Sequence, residues 1–76
     1  MILRTVIEWK NGSRWEDAIN TDASRGRYLL ASHRAADGAY WPLREVKNGY
    51  QFDTPKHYTG NAGGCTTTVT LERGWV

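Results

Sequence analysis

Asn48-Gly49 lies between two β-favouring runs, Tyr40 to Lys47 and Tyr50 to Asp53, and no other stretch constrains the fold as strongly. Both residues tolerate the positive φ values of a tight turn, so the segment reads as a β-hairpin. A two-residue turn sets Lys47 opposite Tyr50, Glu45 opposite Phe52 and Arg44 opposite Asp53, and gathers Trp41, Leu43, Tyr50 and Phe52 on one face. A three-residue turn ending at Gly49 sets Val46 opposite Tyr50 and sends Trp41 and Leu43 to the other face, because a one-residue slip reverses every side chain. The two-residue register is the expectation. Pro42 removes a backbone donor, which places it on an edge or at a bulge.

Strict alternation from Ile2 to Trp9 reads as a strand with Leu3, Thr5, Ile7 and Trp9 on one side. Two readings compete for the next segment. Asn11-Gly12 could turn the chain into a second hairpin strand through Arg14 and Trp15. Alternatively, Ser13 and Glu16 have capping-box spacing, and Trp15, Ala18 and Ile19 share one helical face. The helix, from about Arg14 to Asn20, is the expectation, with Gly26 as its last possible stop. Arg27 to His33 reads as a central strand with apolar residues on both faces, and Arg34 to Ala39 as a turn pivoting on Asp37-Gly38. Thr54 to Gly64 is irregular, with the glycine-rich 60–64 stretch expected to be mobile. Thr66 to Glu72 is a strand with Thr67, Val69 and Leu71 on one face and Thr66, Thr68 and Thr70 on the other. The sum, over residues 1–76, is one small α+β domain: one short helix packed on a four- to five-stranded, mostly antiparallel sheet.

A 76-residue chain of this kind buries only about 60% of its unfolded surface, so its core is small. The single Cys65 has no intrachain partner and no disulfide can compensate. Four Trp, four Tyr and one Phe must therefore supply much of the packing. Net charge is only +2, which by itself names no partner. No run approaches the ~20 apolar residues of a membrane span or the apolar stretch of a signal peptide. The expectation is a cytoplasmic protein, in which the Asn11-Gly12-Ser13 sequon serves as a turn.

Candidate chemistry is sparse. Cys65 and His57 could form a nucleophile and base, but no third orienting group stands out, and Cys65 is expected to be structural. His33, His57, Asp53 and Cys65 lack the close spacing of metal sites, so neither metal nor other cofactor is expected. The glycine run is no phosphate-binding loop, since neither the Lys-Ser/Thr ending nor a helix follows.

Two binding readings remain. Arg25, Arg27, Arg34, Arg44, Lys47, Lys56 and His57 interleave with Tyr28, Tyr40, Trp41, Tyr50 and Tyr58, a pattern that could follow a nucleic-acid backbone and stack its bases on a basic, aromatic sheet face. The leading reading is a non-enzymatic protein-binding module. Its anchors would be Trp41, Tyr50, Tyr58 and Trp75, with Arg44, Lys47, Lys56 and His57 around them. An edge strand could also pair with a second copy. In general character the chain is similar to the small accessory proteins of phages and mobile elements that block a larger host protein, so an inhibitor is the expected form.

Overall fold

The computed structural model describes residues 1–55 and 64–74. The elements run β1 (Ile2–Trp9), β2 (Arg14–Asn20), α1 (Ala23–Gly38), β3 (Arg44–Val46), β4 (Gly49–Thr54) and β5 (Cys65–Glu72). The strands form one antiparallel sheet in the order β2-β1-β5-β4-β3, with α1 packed on one face. The α+β architecture is the one the sequence implies.

The helix and one strand stand in each other's expected places. Arg14–Asn20 is an edge strand, because the turn chemistry of Asn11-Gly12 overrides the capping-box spacing. Gly12 takes φ +93°, Asn11 Oδ1 accepts the Ser13 N–H at 2.8 Å, and the Trp9 N–H donates to the Ser13 carbonyl at 2.9 Å. From there β2 pairs along β1, Ile7 with Trp15 and Leu3 with Ile19.

The expected strand Arg27 to His33 belongs to α1, and so does the expected turn Arg34 to Ala39 up to Gly38, with Ala39 as the C-cap. Asp22 caps it, its side chain accepting the Arg25 N–H at 2.8 Å. Alanines and Leu29-Leu30 carry it through to Gly38 with little propensity cost. Gly26, read from sequence as a stop, lies inside the helix and is buried. A methyl group there would stand 2.8 Å from Leu71 Cδ1 and 3.1 Å from Thr21 Cγ2. The glycine lets the helix backbone approach the sheet closely.

The Asn48-Gly49 hairpin forms, but two positions away from the expected register. Glu45 pairs with Tyr50 and Val46 with Gly49, leaving Lys47-Asn48 as the turn. Asn48 takes the positive φ, +68°. Gly49 is required for another reason: a Cβ on it would collide with the Val69 carbonyl of β5. Because the slip is two residues, the faces are preserved and Tyr50 and Phe52 still point to the helix side, their rings stacked at 6.2 Å. Pro42, expected at an edge or bulge within the run, lies outside the strand, two residues before the edge strand β3.

Leu3, Tyr50, Phe52, Val69 and Leu71 form the core, with Leu29, Leu30, Trp41 and Leu43 packed around it. Burial of each large apolar side chain is worth about 1.5–3 kcal/mol. The opposite face is polar and uncovered by the helix. Arg4 bridges Glu16 and Glu72 across three strands, and Gln51 donates to Thr68 at 3.0 Å. Arg44 grips Asp53 with both terminal nitrogens, at 2.7 and 3.1 Å.

Candidate functional site: an aromatic cleft beside the helix

The N-terminal part of α1 is drawn onto the sheet at Gly26, whereas its C-terminal part stands over a cleft of about 440 Å³. Among the described residues, Ile7, Trp9, Phe52 and Val69 supply its apolar walls from the sheet, with Trp41 beside α1. Thr5, Thr54, Cys65 and Thr67 line the sheet side, and His33 and Asp37 the helix side. Volume and lining, mostly apolar with a few polar groups, suit a binding site.

Alternation brings these residues together. Trp9 pairs with Cys65, Ile7 with Thr67, Thr5 with Val69, Phe52 with Thr67 and Thr54 with Cys65, all on the helix face. After the helix, the Tyr40 and Trp41 N–H groups donate to the Asp37 carbonyl at 3.1 and 2.9 Å, which turns the chain back and sets Trp41 against the core. Cys65 is buried, its Sγ 2.9 Å from Thr54 Oγ1. The Trp9 indole N–H is also enclosed, with no hydrogen-bond partner among the described residues.

Asp37 is the charged group of the cleft. Its Oδ2 accepts the Tyr50 hydroxyl at 2.6 Å. Burial, and then this bond, push the Tyr50 phenol well above its ordinary pKa. Arg34, one turn earlier, lies 5.6 Å from the Tyr50 ring centre and pairs with Glu45. Among the described residues, Asp37 makes no ion pair, whereas Glu16, Glu45, Asp53 and Glu72 are each held by an arginine.

Of the anchors expected from sequence, Trp41 lines the cleft. Tyr50 does not present itself to a partner: it is 0% exposed, and its place is the core beneath α1. Arg44 lies on the opposite face bound to Asp53, and Lys47 is exposed in the β3–β4 turn. Tyr58, Lys56, His57 and Trp75 lie outside the described residues, as does most of the glycine-rich stretch, so the His57–Cys65 pairing weighed from sequence falls there too. Trp9, Phe52, His33 and Asp37 were not expected at a site. For the first two, the alternation of β1 and β4 carries the signal. For His33 and Asp37 it is the helical spacing from Gly26 through Leu30, obscured once the segment is read as a strand and a turn.

Among the described residues, the basic and aromatic residues read for nucleic acid are distributed over α1 and both faces of the sheet. Tyr50, Phe52 and Trp41 lie on the helix side with Arg34 beside the Tyr50 ring, Arg44 projects from the other side in an ion pair, and Arg25, Arg27 and Tyr28 are exposed on α1. Among the described residues, no group of three His, Cys, Asp or Glu could hold a metal ion, and no helix is long and apolar enough to cross a membrane. No family model, curated protein or solved structure matches this chain.

Proposed function

We propose that this chain is a non-enzymatic protein-binding module that receives its partner on the helix side of the sheet, along the aromatic cleft and the strip of β2 beside it. The observation that carries this reading is that α1 leaves β2 uncovered. Trp15 and Ile19 point to the helix side yet remain 49% and 47% exposed. Trp15 pairs with Ile7, a wall of the cleft, so the two apolar surfaces are continuous. Exposed aromatic and aliphatic residues beside a concave surface are typical of interfaces, where a few such side chains dominate the binding energy. Occupying a partner's surface, as an inhibitor does, is the mode of action that such a face suits. Against the nucleic-acid alternative stand the burial of Tyr50 and the ion pairs that hold Arg34 and Arg44.

A random-peptide display selection on the purified protein tests this. Peptides enriched on the wild type should bind a Trp15→Ser, Ile19→Ser double variant at least about tenfold more weakly, a change of about 1.4 kcal/mol. The melting temperature of that variant should hardly move, since both side chains are already half exposed. Failure to enrich any peptide, or equal binding to both proteins, would overturn the reading. Oligonucleotide binding that weakens steeply with salt would favour nucleic acid instead.

A further inference from the structure

We propose that the cleft takes one lysine side chain of the partner, its methylene stem lying among Trp9, Trp41 and Phe52 and its ammonium pairing with Asp37. This rests on the reading above that the partner is a protein. Two observations lead to it. The cleft, at about 440 Å³, is walled by rings from two strands and the post-helix turn, and ring faces attract cations as well as apolar stems. Its carboxylate lacks an ionic partner among the described residues, although Glu16, Asp53 and Glu72 on the opposite face are each paired with an arginine. A wholly apolar occupant would strip water from that charge and return nothing, whereas a cation compensates it.

The hydrogen-bonding of Asp37 selects the kind of cation. Oδ2 is engaged by Tyr50, and Oδ1 has no partner among the described residues. A guanidinium binds carboxylates best through two parallel bonds to both oxygens, which Tyr50 obstructs. An ammonium is a compact point charge that needs only one. His33 also lines the cleft, one helical turn before Asp37, but makes no ion pair with it.

The test is an NMR titration of the intact protein with Nα-acetyl-lysine methylamide and with its uncharged counterpart, Nα-acetyl-norleucine methylamide. The Trp9 and Trp41 indole resonances are followed. The lysine probe should shift both and bind about fivefold more tightly than the norleucine probe, the size of a partly exposed charge contact. In Asp37→Asn, which can still accept from Tyr50, the two probes should bind alike. Equal binding of both probes to the wild type would overturn the proposal, and that comparison stands whether or not the variant folds. Shifts confined to other residues, or a preference for lysine that survives in Asp37→Asn, would also overturn it. If displayed peptides bind through Trp15 and Ile19 but need no lysine, this proposal fails while the protein-binding reading stands. If the lysine probe binds as expected and no peptide is enriched, the charge selectivity of the cleft is upheld and the protein-binding reading fails.

Discussion

The Tyr50 hydroxyl donates a 2.6 Å hydrogen bond to Asp37 Oδ2, tying β4 to the last turn of α1 across the interior. Tyr50→Phe keeps the ring and its packing but leaves the carboxylate without its donor. We expect a loss of about 1–2 kcal/mol in urea unfolding at neutral pH.

The same bond has a pH signature. Because the folded-state pKa of Tyr50 is raised, its protonated form is favoured by folding. The contribution is complete below the unfolded phenol value of about 10 and is lost as pH rises through the folded value. Wild-type stability should therefore fall more steeply above pH ~10 than that of Tyr50→Phe. Parallel slopes in urea unfolding at pH 9 to about 11 would show that Tyr50 is not so constrained.

Asp53 should shape the acid side. Its bond to Arg44, and then that to Thr66 at 2.7 Å, lower its pKa from 3.8 to about 2. A lowered carboxylate contributes stability above its unfolded value, and this is lost as pH falls through the folded one. Asp53→Asn should be less stable than wild type at pH 7, by under about 1 kcal/mol because the pair is exposed. The gap should close towards pH 2, and also in about 1 M salt. A gap unchanged across that pH range would show that the carboxylate charge is irrelevant.

Two glycines in the two hairpins should respond differently to alanine. Gly49→Ala drives a methyl group into the Val69 carbonyl, and since backbone cannot rotate aside as a side chain can, the loss should be about 3 kcal/mol. Gly12 has open space around it, so Gly12→Ala should cost only the strain of its φ of +93°, about 1 kcal/mol. Denaturant midpoints give the order directly, and a reversed order would contradict the packing of β4 against β5.

Trp9 couples packing to an unpaired donor. Trp9→Phe removes some apolar contact and also the enclosed, unpartnered indole N–H. These effects oppose each other, so the change should stay within about 1 kcal/mol. Trp9→Ala removes the ring without compensation and should cost about 3 kcal/mol. Similar losses for both variants would mean that the N–H is satisfied in solution.

Where alternation was long and punctuated by glycine, the sequence was legible: β1 and β5 have the expected faces, and the Asn48-Gly49 hairpin forms. The exchange of helix and strand has a physical origin. Trp15, Asp17 and Ile19 alternate as a strand, yet Trp15, Ala18 and Ile19 also fit one helical face, and seven residues are too few to separate the periods. Tyr28-Leu29-Leu30-Ala31 is equally ambiguous, and Gly26 suggested a boundary where tertiary contact with Leu71 instead calls for a missing side chain. The cleft was less legible still. It depends on Asp37 facing the sheet, which only the full length of α1 establishes.

The strand order gives β5 a kinetic role. The β1–β2 and β3–β4 hairpins can each close locally, but among the described residues β5 alone pairs with both. Until it inserts, the two hairpins share no backbone ladder, and the inner edges of β1 and β4 stand open. Insertion must bring Glu72 beside Ile2, a long loop closure that comes before most of the core is in place. Folding of this small domain should thus behave as one late, sheet-wide event, and aggregation should begin from the two unpaired inner edges, both shielded once β5 has entered.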